Sequence, residues 1–175
     1  MSGHEIEQFL STWEYESELT ARLLKTVPKD QYDFRPDPEG RSMGELAWHM
    51  AELEGFMSTI AAEHNFSVPK PPGLERPRTV AELAPGYERV HREAVERVRR
   101  IRSEDFDHTF PFFGGHSTSV RNVLWSALLY HLIHHRGQLM MLIRMAHGVP
   151  SRLYGPLRED DAATRARAQE KARLE

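Results

Sequence analysis

Three of the chain's ten histidines fall within the stretch Tyr130-His-Leu-Ile-His-His-Arg-Gly-Gln-Leu-Met-Met-Leu-Ile-Arg144. His131 and His135 are four residues apart, and on a helix that spacing stacks two side chains on one face. Two imidazoles placed so can reach one ion at roughly 2.0–2.1 Å. His134 lies about 60° to the other side of His131, which makes it an alternative partner or a neighbour of the site. Two ligands rarely hold an ion tightly, so a third must come from elsewhere. His49 is a candidate, because it sits within the apolar face formed by Leu46, Met50, Leu53, Met57 and Ile60 rather than opposite it. A single histidine on such a face is usually a core residue. Three imidazoles converging between helices would instead suit zinc, nickel, iron or copper, with coordination positions left open for water or substrate.

Other chemistries find little support. No cysteine occurs in the 175 residues, which removes disulfides, cysteine-based zinc sites and a cysteine nucleophile together. There is no Gly-x-Ser-x-Gly elbow, phosphate loop or dinucleotide fingerprint. A net charge of −3 offers nothing for nucleic acid or an anionic membrane to bind. The arginines from Arg89 to Arg102 alternate with Glu88, Glu93 and Glu96, so they read as an ion-paired helical face. No apolar run reaches the roughly 18 residues of a membrane span, and the start lacks a basic-then-apolar leader pattern. A cytoplasmic location is expected.

Four amphipathic segments must position the histidines. The first runs from Glu5 to Val27 and is closed by Pro28; Glu16, Ser17 and Thr20 interrupt its apolar stripe, either at the stripe's edge or facing a polar cavity. Ser42-Met43-Gly44-Glu45 forms a capping box that opens a second helix ending near His64. Thr79-Val80-Ala81-Glu82 reads as another, opening a third helix that continues to about Arg102, with Pro85 and Gly86 near its start. Pro-rich loops cover residues 29–41 and 67–78. Residues 105–119 read as an aromatic loop with a short extended piece. The fourth helix spans Val120 to His147 and holds both His131 and His135. Trp125, Leu129, Leu132, Ile133, Met140 and Ile143 lie opposite them, so this helix is apolar nearly all round and predicts cover by a second subunit. The pattern as a whole argues an all-α four-helix bundle. Residues 158–175 are charged and free of aromatics, and are expected to be a peripheral tail.

The stretch His131-Leu-Ile-His134-His135-Arg136-Gly137-Gln138-Leu139, preceded by Asn122-Val-Leu-Trp125, resembles the signature helix of the DinB (YfiT-like) family of metal-dependent proteins. Arg41-Ser42-Met43-Gly44-Glu45-Leu46-Ala47-Trp48-His49 and the ending Val149-Pro150-Ser151-Arg152-Leu153-Tyr154-Gly155-Pro156 resemble that family's other motifs. The resemblance covers about residues 5 to 157. It implies one domain over 1–157, an up-down-down-up four-helix bundle, with the tail outside it. It further implies one divalent metal on His49, His131 and His135, with His134 not binding, and a homodimer. Some relatives join low-molecular-weight thiols such as bacillithiol to electrophiles, and another is a thiol-dependent isomerase.

The leading expectation is therefore a metal-dependent S-transferase acting on a small-molecule substrate. Its cofactors would be one divalent ion, zinc or nickel ahead of iron, manganese or copper, and a thiol from solution. Arg136 and Arg41 are candidates to hold the thiol's carboxylates. A metal-dependent hydrolase is the alternative, with Glu16 or Glu52 as base. A non-catalytic metal-binding stress-response protein is the third, which a fourth ligand such as Gln138 would favour.

Overall fold

The computed structural model describes residues 2–174 of the chain; Met1 and Glu175, the last residue of the tail, lie outside it. In chain order the elements are α1 (Ser2–Leu24), α2 (Met43–Glu63), α3 (Val80–Val98), β1 (Thr109–Pro111), β2 (Ser117–Ser119), α4 (120–145) and α5 (Arg158–Leu174). Helix α2 packs on both α3 and α4, and α1 packs on the same two partners. Apolar side chains recurring at helical spacing meet between them. Phe9, Trp13 and Leu23 come from α1, Met50 and Ile60 from α2, Leu83 and Val98 from α3, and Leu132, Leu139 and Ile143 from α4.

The expected boundary chemistry is present at α2 and altered at α3. The Ser42 hydroxyl accepts from the Glu45 amide at 3.2 Å while the Glu45 carboxylate accepts from the Ser42 amide at 2.8 Å, a complete capping box. At α3 the Thr79 hydroxyl donates to the Glu82 carboxylate at 2.5 Å instead, so the second box does not form. The Pro-rich loop after α2 folds back along it. Leu74 is buried, its carbonyl accepts from Trp48 Nε1 at 3.1 Å, and its methyls lie against Gly55, where a Cβ would come within 2.8 Å.

Three features depart from the expected bundle. Residues 109–119 form a two-stranded antiparallel hairpin pairing Phe110 with Thr118, so the fold is predominantly helical rather than a bare four-helix bundle. Its tip uses Gly114 and Gly115 at φ 70° and 79°, a conformation costly for other residues. Helix α4 is not α-helical throughout. Val120–Asn122 starts it, Val123–Tyr130 is π-helical, and α geometry resumes over His131–Met145. Finally, the face expected to meet a second subunit turns inward. Leu129, Leu132 and Ile143 are buried within this one chain, and Trp125 and Met140 pack partly against its core. The outward stripe consists instead of Tyr130, His134, Gly137, Met141 and Met145. Beyond the bundle, α5 is tied back by Arg144–Glu159 at 2.9 Å and Arg152–Asp160 at 2.8 Å.

Candidate metal centre

Because α geometry resumes at His131, the four-residue spacing does what it should: the His131 and His135 rings lie 4.5 Å apart, centre to centre. Their Nε2 atoms face one another at 2.8 Å, within reach of a shared proton. Helix α2 brings His49 to the same point, its ring centre 4.7 Å from that of His135 and 5.9 Å from that of His131. One ligating nitrogen from each of the three residues lies within 4.8 Å of the other two.

Each ring is also braced. His135 Nδ1 is 2.7 Å from Gln138 Oε1, which leaves Nε2 for the centre of the cluster. His131 is held by the Ala127 carbonyl one turn back. His49 Nδ1 faces the Glu52 carboxylate at 3.5 Å. Partners of this kind fix an imidazole's tautomer and orientation in metal sites. Burial pushes the His135 pKa down to about 4, against the pull of the Gln138 hydrogen bond and with help from neighbouring imidazoles. Burial also lowers that of His131, aided by His49. Both rings are therefore neutral at ordinary pH, the state in which imidazole donates a lone pair to a cation. Three imidazole nitrogens converging on one point fit a divalent ion of the zinc type. The cluster is compatible with metal binding.

The other residues singled out from sequence fall to different places. His134 is exposed and meets Gln138 Nε2 at 3.0 Å, so it stands outside the cluster. Gln138 grips the outer nitrogen of His135 and does not converge on the centre. Arg136, considered as a surface group able to hold an anionic thiol, is only 1% exposed. Its guanidinium donates to the Glu16 carboxylate, the Glu16 carbonyl and the Tyr154 hydroxyl, with Thr20 Oγ1 at 3.4 Å. This explains the polar gap in the stripe of α1: Glu16 and Thr20 meet an arginine from α4. Tyr154 donates to Glu16 at 2.5 Å, and burial together with that bond raises its pKa to about 12. Arg41 is exposed, and its charge reaches His131.

Two groups escaped the sequence. Glu54, fully buried, accepts from Trp13 Nε1 at 2.9 Å and the Tyr87 hydroxyl at 2.5 Å, and faces His91 Nδ1 at 2.7 Å. Burial drives the Tyr87 pKa well upward, so its hydroxyl stays protonated and able to donate. With three partners the carboxylate is satisfied, and the network pins α1, α2 and α3 together. The second is Phe56 and Lys70, which with His49, Glu52, Leu53 and Met57 line a cavity of about 360 Å³. Lys70 lies 18 residues beyond Glu52 in a loop, and no periodic pattern links them.

A predominantly helical fold with a cluster of three braced imidazoles between two helices defines the class. The DinB superfamily profile matches residues 12–139, and the chain belongs to that superfamily. It is 25% identical over 159 residues to the uncharacterized protein YrdA of Bacillus subtilis, covering 89% of this chain and 91% of that one. Among solved structures it is similar to a DinB-like protein from Bacillus cereus, with a TM-score of 0.70, 25% identity, and coverage of 85% of this chain and 97% of the other. A DinB-like protein of Bacillus subtilis, YjoA, shares the fold with a TM-score of 0.66 at 21% identity, over 86% of this chain and 96% of YjoA.

Proposed function

We propose that His49, His131 and His135 hold one divalent cation, zinc or nickel ahead of iron, manganese or copper. The protein is then a metal-dependent enzyme, foremost an S-transferase for a low-molecular-weight thiol of the bacillithiol kind. The observation that carries this reading is the convergence of three ring nitrogens, each ring braced from outside, beside an open apolar cavity. A bound cation would supply Lewis acidity that increases the ionised fraction of a thiol at neutral pH. The chain has no cysteine, so the thiol comes from solution. His49, His131 and His135 act as the imidazole donors, while Glu52, Gln138 and the Ala127 carbonyl keep the rings aimed. Arg41 remains a candidate to hold a thiol's carboxylate, whereas Arg136 is spent on Glu16.

The transferase is favoured over the hydrolase because Glu16 is committed to Arg136 and Tyr154 in the interior, while Glu52 faces His49 itself. It is favoured over a non-catalytic metal protein because Gln138 points away from the centre. The same reading includes an up-down-down-up order of the four long helices, which the pairing of α1 and α2 with α3 and α4 supports. It includes a cytoplasmic dimer; among the described residues no helix is long and apolar enough to cross a membrane.

The test is conjugation of monochlorobimane with glutathione, mycothiol, bacillithiol or coenzyme A, each with and without chelator. At least one thiol should turn over, and chelator should abolish the turnover. Chelator-sensitive cleavage of an ester or amide panel, with no thiol accepted, would replace the transferase by the hydrolase.

A further inference from the structure

The cavity beside His49 is uneven in its chemistry. Leu53, Phe56 and Met57, on successive turns of α2, make its walls, and Phe56 and Met57 are only partly covered. The apolar edge continues beyond it. The Phe56 ring is 6.5 Å from Phe66, which meets Phe112 at 4.9 Å and the exposed Phe113 at 6.0 Å at the hairpin tip. Polar groups gather at one end only: His49, Glu52 and Lys70. At about 360 Å³ the space is near the lower end of ligand cavities, which run from about 300 to 1,000 Å³.

The charge at that end is arranged for exchange. Lys70 Nζ donates to Glu52 Oε1 at 2.5 Å, while Glu52 Oε2 faces His49. The lysine side chain is 55% exposed, and an exposed ion pair of this kind contributes little. Lys70 can therefore leave Glu52 for another carboxylate at small cost, and Glu52 keeps His49 as its partner. A slot with aromatic and thioether walls and a transferable ammonium at one end matches an amphipathic anion.

We propose that this slot binds a small organic acid with a flat or branched apolar body. The body lies on Phe56 and Met57, and the carboxylate is held by Lys70 next to His49. The acid's role as second substrate rests on the histidine cluster being the reaction centre; its binding does not.

Full-length protein, stripped of metal, is titrated calorimetrically with 4-phenylbutyrate, with the neutral 4-phenylbutanol, and with acetate. Phenylbutyrate should bind one molecule per chain, the alcohol about fivefold to tenfold more weakly, and acetate not detectably. Phe56→Asp should weaken both aryl ligands by about tenfold or more. Lys70→Gln, at an exposed position that leaves the core untouched, should erase the difference between acid and alcohol. If the acid fails to bind, or binds unchanged in both Phe56→Asp and Lys70→Gln, the proposal is overturned. Should the cluster take up no cation while the acid still answers to Phe56 and Lys70, the slot stands and the metal-dependent reaction falls.

Discussion

At the scale of single residues, adjacent positions on α4 have opposite duties. His135 turns to the cluster, whereas Arg136, one residue on, points to α1 and is consumed by Glu16 and Tyr154. A buried ion pair adds little net stability, but removing one member strands the other's charge. Arg136→Met should therefore destabilise the fold by about 3–5 kcal/mol, because Glu16 remains in the interior. Urea unfolding reads that loss, and elemental analysis of the folded variant should show metal uptake intact. A variant as stable as the parent would mean that Glu16 relaxes to solvent. Arg136 illustrates what local sequence hides: its partner Glu16 lies 120 positions earlier, and nothing near the arginine marks it as buried.

At the scale of elements, the histidine pair was legible because its geometry is local. Both residues sit on one α-helical turn, and the spacing alone places them together. His49 required α2 to lie against α4, which spacing does not dictate; the family resemblance supplied it. The π-helical Val123–Tyr130 was not legible, since its apolar sequence would suit α geometry equally well. The inward burial of Leu129, Leu132 and Ile143 is not legible in the sequence for a related reason. An all-round apolar helix in a bundle is covered when two helices flank it, and here α1 and α2 both do. The short extended piece expected within 105–119 is present, but its pairing into a hairpin was not legible behind Pro111 and a run of phenylalanines that also suits an irregular loop. Packing α4 in this way has a thermodynamic consequence. His135 has its pKa lowered to about 4 in the fold, against about 6.5 when unfolded. The unfolded chain thus binds more protons, and metal-free protein should be fully stabilised by this group above about pH 6.5, losing the contribution as pH falls toward 4. Glu52 adds a lower window. Its pKa of about 2 is set first by the His49 hydrogen bond, so its contribution disappears between about pH 4.5 and 2. Chemical unfolding of chelated protein at pH 7.5, 5.5 and 4.5 should show the upper loss, and His135→Gln should flatten it. An equal slope in the variant would remove His135 as its source.

For the whole molecule, because the apolar face of α4 is covered within the chain, the proposed dimer would have to use its exposed stripe. Tyr130, Met141 and Met145 stand out from it, and no atom lies within 4 Å of a Cβ placed on Gly137, so a partner helix has room to approach. Sedimentation at micromolar concentration should give a dimer, and Met141→Glu should convert it to monomer; a monomeric parent would leave that stripe to solvent. The proposed function depends on one cation held by three histidines from two helices. Metal-free protein titrated with zinc against a chromophoric chelator should bind one ion per chain. His49→Ala, His131→Ala and His135→Ala should each weaken binding by about 100-fold or more, while His134→Ala leaves it unchanged. Affinity should persist somewhat below pH 6.5, since burial holds His131 and His135 neutral there. Undiminished binding in any of the three triad variants, or a loss confined to His134→Ala, would contradict it.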